Sequence, residues 1–348
     1  MKILYAIQGT GNGHIARAME IVPILKKLKK CTVDVLISGI ASELKVPFEI
    51  KYKFHGMSFI FGKNGGVDIW NTYRKMHSLQ LLHEIKSLPV EKYDLIISDF
   101  EPVSSWAAQM AKKPSIGLSN QVATLHPLAP KPDKADLLGK MVLEHYAPTT
   151  YNYGFHFKAI DRNIFTPVIR RPLRDLTVKD KGYYTVYLPS CSDKRIIKFL
   201  RYYKDIDWIV FSKFSKKKYE EKNVYIKPLN PNLFLEYLAS SHGVLSNAGF
   251  GTASEALFLN KKLLVIPMKN QYEQHCNAAM LKSMGVKILK KLKKKYRDKF
   301  KEWLKDDRKV KVNYPDITEE ILETIIANHA GKNADDERVD YAEYPIFQ

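Results

Sequence analysis

A chain of 348 residues, 45% hydrophobic and 27% charged, is neither a disordered polymer nor comfortably one core, so two domains of ordinary size are expected. Its 56 basic against 37 acidic residues give a net charge of +19, a field that attracts nucleotides, anionic lipid surfaces or nucleic acid without choosing among them. No helix-turn-helix, zinc-finger or aromatic RNA-binding signature accompanies that charge, so nucleic acid is not an expected partner.

No apolar run is long enough to span a bilayer and the amino-terminal stretch lacks a signal-peptide pattern, so a cytoplasmic protein is expected. The cysteines Cys31, Cys191 and Cys276 stand far apart, without the paired spacing of a zinc site or disulfide framework.

In chain order, KILYAIQ (Lys2 to Gln8) reads as a buried strand, and the segment after it puts Ile15, Ala18, Met19, Val22, Leu25 and Leu28 on one helical face. TVDVLIS and YDLIISD follow as strands, then a helix from Val103 to Lys112 and the strand PSIGLSN. Residues 163–182 hold two prolines and many charges without periodicity, which suits a linker. Beyond it the alternation restarts with YYTVYLPS, a helix near Arg195 to Tyr203, DWIVFS, NVYIKPL, HGVLSNA, KLLVIPM and VKILK. Such alternation predicts an α/β protein of two doubly wound Rossmann-like lobes facing a cleft. The expected boundaries are 1–165 for the first lobe, 166–182 for the linker, 183–330 for the second lobe and 331–348 for an acidic tail.

The basic stretch KILKKLKKKYRDKFKEW and the leucine after it place Tyr296, Phe300 and Leu304 at helical spacing, the mark of a surface helix docked on its own domain or laid on a membrane. Aromatic and basic residues in 56–82 fit either a membrane-edge surface or an internal flap.

In open parallel sheets ligands bind beyond the carboxyl ends of the strands, so loops there carry the chemistry. The first loop, Gln8-Gly9-Thr10-Gly11-Asn12-Gly13-His14, ends at a helix start, where backbone N–H groups favour an anion. A dinucleotide fingerprint fails on spacing, because His14 occupies the place of its third glycine. As a lone residue His14 reads as a helix cap. Asp99, ending the strand YDLIISD in the same sheet, supplies a carboxylate that could fix the imidazole tautomer and raise its basicity. The alternatives are that Asp99 caps the next helix, or that Glu101 is the carboxylate that matters.

In the second half a strand runs into Ser246-Asn247-Ala248-Gly249-Phe250-Gly251-Thr252 and a helix carrying Glu255. The glycine loop and helix start offer donors to a diphosphate, and Glu255, about one turn inside, suits two neighbouring ribose hydroxyls. After KLLVIP, Glu273 and Gln274 open another helix, where acid and amide together can grip sugar hydroxyls. Ser190, Ser192 and Arg195 lie where they could approach phosphate. Asp205 and Asp207 precede a strand, which argues against a metal role.

The stretches GTGNGH, SNAGFGTASEAL and IPMKNQYEQHCNAAMLKSMG together resemble the GT-B glycosyltransferases, in particular the branch of the lipid II-forming N-acetylglucosaminyltransferase (family 28) and the UDP-glycosyltransferases with their His-Asp pair. The resemblance implies a hexosyltransferase using a UDP-sugar, inverting, and needing neither metal nor cofactor. It implies that His14 and Asp99 are catalytic and that Gly11, Asn12 and Gly13 form an acceptor loop. Ser190, Asn247, Ala248, Gly249, Phe250, Gly251, Thr252, Glu255, Glu273 and Gln274 would bind the donor. The acceptor would be lipid-linked or soluble; with an anionic membrane surface as partner, the enzyme would sit on the inner face of the membrane. Related readings are a UDP-sugar 2-epimerase of the same architecture and a silent nucleotide-sugar-binding subunit. The chain departs from its relatives in having SNAG where they often carry a His-containing motif, so a His contact there would have to come from His242; of a second glycine-rich loop, only GKNGG in 62–66 remains.

Overall fold

The computed structural model describes residues 1–28, 31–39, 46–57, 78–134 and 136–330. Strands β1 (Lys2–Gln8), β2 (Thr32–Ser38), β3 (Tyr52–Phe54), β4 (Leu95–Asp99), β5 (Ile116–Ser119), β6 (Tyr151–Phe155) and β7 (Ile164–Phe165) form one sheet in the order β3-β2-β1-β4-β5-β6-β7. Every pairing in it is parallel. β1 shows why the apolar run is unbroken. Ile3, Tyr5 and Ile7 face helix Asn12–Lys27, while Leu4 and Ala6 face Val103, Ala107 and Ala108 on helix Pro102–Met110. Both faces are covered, so both parities must be apolar, and each large side chain so buried contributes roughly 1.5–3 kcal/mol.

The second sheet joins β8 (Tyr184–Tyr187), β9 (Trp208–Ser212), β10 (Tyr219–Glu221), β11 (Val224–Pro228), β12 (Gly243–Ser246), β13 (Lys262–Val265) and β14 (Lys287–Ile288), ordered β10-β11-β9-β8-β12-β13-β14. Only β10 runs antiparallel, as an edge ribbon. The expected pair of doubly wound lobes is therefore present. In each sheet the strand order reverses beside the lobe's first strand, at β1/β4 and at β8/β12. In open parallel sheets ligands bind above such points of reversal.

Helix Thr318–His329 falls within the expected second-lobe range 183–330 but packs on the first lobe instead. Ile321, Leu322 and Ile325 join the core under helix Asn12–Lys27, and the Tyr153 hydroxyl lies 2.9 Å from His329 Nε2. The chain crosses between lobes a second time, and sequence periodicity cannot tell which sheet a helix returns to. The linker is itself ordered: Ile169 and Leu173 enter the second-lobe core around the short helix Arg171–Arg174. The basic stretch folds as helix Arg297–Lys305 with Phe300 and Trp303 buried in that lobe, so its apolar face is covered by its own domain. Among the described residues no helix is long and apolar enough to cross a membrane. GKNGG, most of 56–82 and the 331–348 tail lie outside the described residues.

The lobes meet around the cleft. Leu143 and Tyr146 of helix Leu137–Tyr146 pack on Tyr272 and Cys276 of helix Tyr272–Ser283. Gly139 makes this approach feasible, since a Cβ there would stand 2.7 Å from the Tyr272 Cβ.

Candidate active site

Asp99 ends β4 opposite Ile7 of β1, one strand from the first loop. Its Oδ1 lies 2.8 Å from His14 Nδ1, and its carboxylate is fully buried. The expected pair is thus in contact. A sequence-invisible feature aims it: Phe100 takes a positive φ of 56°, a left-handed conformation that a bulky residue adopts at a cost of about 1–3 kcal/mol. This tight turn sets the Phe100 ring roughly parallel to the His14 imidazole at 6.4 Å between centroids. Glu101, the rival carboxylate, caps helix Pro102–Met110 instead, accepting from the N–H groups of Val103 at 2.8 Å and Ser104 at 2.6 Å. Burial pushes its carboxyl above the ordinary range against those donors and the Ser38 hydroxyl.

Arg17 was not anticipated. One turn along the helix from His14, it donates from Nε to Asp99 Oδ2 at 2.8 Å and from Nη2 to Oδ1. Burial alone would raise the Asp99 carboxyl, but Arg17 and then His14 hold it below its usual value. With Asp99 ionised, His14 donates its Nδ1–H to the carboxylate and keeps Nε2 as the acceptor. The i, i+3 spacing of His14 and Arg17 was the available signal.

Gln121 was also missed. It follows β5 on helix Asn120–Leu125, and its Nε2 lies 3.4 Å from His14 Nε2 and donates to Glu273 Oε2 at 2.9 Å. One side chain thereby connects the first lobe's imidazole to a second-lobe carboxylate. Among the described residues its own Oε1 is buried without a partner. Asn120-Gln121 at the end of a predicted strand, beside Asp99, could have flagged it.

Among the described residues, nothing packs closely on the first loop at Gly11 and Gly13 or on the second glycine loop at Gly249 and Gly251. A Cβ built on Gly11, Gly13 or Gly251 meets no described atom within 4 Å, and one on Gly249 meets only Gln274 Nε2 at 4.0 Å. Gly11, with φ of 101°, turns the chain into helix Asn12–Lys27, and Asn12 is that helix's first residue. Neither that helix nor helix Phe250–Phe258 has a side-chain cap, so their first N–H groups are not taken by their cap residues.

The other expected donor residues divide. Thr252, half-buried, sits on the first turn of helix Phe250–Phe258. Asn247 braces the loops: its Oδ1 accepts from Ser190 Oγ at 3.0 Å and its Nδ2 donates to the Ile266 carbonyl at 2.6 Å. Ala248 is fully buried, its carbonyl accepting from Asn277. The Phe250 ring packs against Phe157 at 5.1 Å and on the first-lobe core, wedging the lobes. Gln274 Oε1 accepts from the Met268 N–H at 2.9 Å, pinning the loop after β13. Glu255 is held by Arg170 of the linker, whose Nε donates to Oε1 at 2.7 Å. Ser192 and Arg195 are exposed. His242 sits at the amino end of β12, away from the loop, 2.9 Å from Asp180. Asp205 and Asp207 likewise precede β9.

Two Rossmann-like lobes with a histidine-carboxylate pair on one side of the cleft and an open glycine loop on the other define the GT-B glycosyltransferase architecture. Residues 1–306 match glycosyl transferase family 1; the chain belongs to that family and is a glycosyltransferase. No curated protein matches the sequence. The fold is similar to that of MnaA from S. aureus with UDP, at TM-score 0.60 and 13% identity over 94% of this chain and 96% of that one. It is similar to Acinetobacter baumannii MurG at TM-score 0.57 and 13% identity, covering 94% and 100%. Phytolacca americana UGT2, complexed with UDP-2fluoro-glucose and pterostilbene, matches at TM-score 0.55 and 14% identity over 98% and 93%. At such identities the likeness is one of fold.

Proposed function

We propose that the enzyme moves a hexose-type sugar from a UDP-sugar to an acceptor hydroxyl in a single inverting displacement that needs no metal ion. The observation that carries this reading is the chain His14–Gln121–Glu273, which puts the candidate base and the candidate sugar-binding carboxylate on opposite walls within hydrogen-bond reach of one side chain. His14 Nε2 takes the acceptor proton, and Asp99 steadies the imidazolium that forms. The open glycine loop and uncapped helix start at Gly249 to Thr252 receive the diphosphate and stabilise it as it leaves. Glu255 binds the ribose. The neighbours solved with UDP support a nucleotide-sugar donor.

The acceptor is read as lipid-linked. Leu137, Leu138 and Met141 stand exposed on helix Leu137–Tyr146 at the junction of the lobes, an apolar patch suited to a lipid surface. Sedimentation with anionic vesicles at low salt and release at high salt would support that acceptor; indifference to vesicles at both would exclude it.

Thermal-shift measurements with UDP, GDP, TDP and their sugars identify the donor, because a ligand of the native state raises stability by mass action. Transfer should then require an added acceptor. Conversion of the donor sugar without any acceptor would instead identify a 2-epimerase, and binding with neither transfer nor hydrolysis a silent subunit.

A further inference from the structure

The linker reaches the nucleoside side of the site through an arginine that the proposed mechanism does not use. Arg170 immediately precedes the short helix Arg171–Arg174 and sends both Nε and Nη2 to the same oxygen, Glu255 Oε1, at 2.7 and 2.5 Å. The Glu255 side chain is only 9% exposed and that of Arg170 18%. A carboxylate so enclosed needs a partner to remain charged and fixed. Both donors converge on Oε1, and no described residue donates to Oε2, which leaves that oxygen for a ligand.

The neighbours of Arg170 connect the same segment to the first lobe and to the second crossing of the cleft. Glu20, on the helix that carries His14, lies close enough for the charge of Arg171 to act on its carboxylate. Arg174 donates from Nη1 to the Tyr314 carbonyl at 3.0 Å and from Nη2 to that of Pro315 at 3.2 Å, on the segment leading back to the first lobe.

We propose that Arg170 is the positioning residue of the nucleoside subsite, holding Glu255 so that Oε2 meets the ribose hydroxyls and coupling donor binding to the set of the crossings between the lobes. The inference rests on the ribose reading of Glu255, and the test separates the two. Titration calorimetry with UDP and 2′-deoxy-UDP is carried out on the full chain and on Arg170→Gln. The wild type should prefer UDP by about tenfold, the worth of a hydrogen bond to a charged group. In Arg170→Gln, UDP affinity should fall by about that factor with the deoxy compound little changed, so that the preference disappears.

A wild type without preference, or without affinity for either nucleotide, overturns the ribose reading and this proposal with it. A preference retained in Arg170→Gln overturns the proposal alone, as does tighter UDP binding, which would make Arg170 an obstruction. If Arg170→Gln does not fold, Arg170→Lys is read by the same ratio: the lysine cannot reproduce the two-nitrogen grip, and an undiminished preference overturns the proposal.

Discussion

Arg17 grips both oxygens of Asp99, from Nε at 2.8 Å and Nη2 at 2.5 Å, so the carboxylate that orients His14 is at the same time the counterion of a buried guanidinium. The site is a three-member cluster in which one acid serves two cations or near-cations. Its members should therefore separate into those that affect folding and those that affect chemistry.

Asp99→Ala should destabilise the protein by about 3–5 kcal/mol, because it leaves Arg17 buried without its counterion. Adding Arg17→Met should recover much of that loss. Urea unfolding of the single and double variants checks it; equal stabilities for both would show that the pair is not coupled.

His14→Ala leaves Arg17 and Asp99 matched and should fold normally. Turnover should drop by about 10²–10⁴ while donor affinity is kept. Steady-state rates with a parallel donor titration make the comparison, and undiminished turnover would remove His14 from the mechanism.

Glu273→Ala should weaken binding of the UDP-sugar by about tenfold and that of UDP hardly at all, since the carboxylate is read as touching the sugar rather than the nucleotide. Gln121→Ala, which cuts the 2.9 Å bond to Glu273, should lower turnover more than it lowers stability. Competitive displacement of a fluorescent nucleotide gives both affinities; equal losses for UDP and UDP-sugar would move Glu273 to the nucleotide.

Lys261 predicts a pH effect away from the cleft. Its Nζ is buried against the carbonyls of Lys179 at 2.6 Å and Ser241 at 2.8 Å, and burial pulls its pKa down to about 8, with Asp180 opposing. Between that value and the unfolded value of about 10.5, the unfolded chain binds more protons, so this group makes stability rise with pH across that interval. Below pH 8 its destabilising contribution is complete. Lys261→Met should reduce the rise, to which Lys131 and Lys262, also lowered by burial, add in the same sense; it is best read up to about pH 9.5, before unfolded tyrosines ionise. Chemical unfolding in steps of pH measures it, and an unchanged slope would refute the assignment.

Much of the fold was legible in the sequence because its strands are buried on both faces and its loops carry glycine. Expected strands such as TVDVLIS match observed bounds within a residue or two. The return of helix Thr318–His329 was not legible, since its apolar face fits either sheet. At the site, His14, Asp99, Glu273 and the glycine loops stood out because strand ends and helix starts mark them. Arg17 and Gln121 did not, as an arginine on a helix and a glutamine after a strand usually face solvent. The positive φ of Phe100 has no signature at all in a residue whose type argues against it.

The homecoming of helix Thr318–His329 also orders events at the ribosome. The hydrophobic seat for Ile321, Leu322 and Ile325 is made by residues translated early, yet it stays unfilled until nearly the entire second lobe has left the exit tunnel. A nascent first lobe must therefore wait with that seat open to water, a ready docking place for a chaperone.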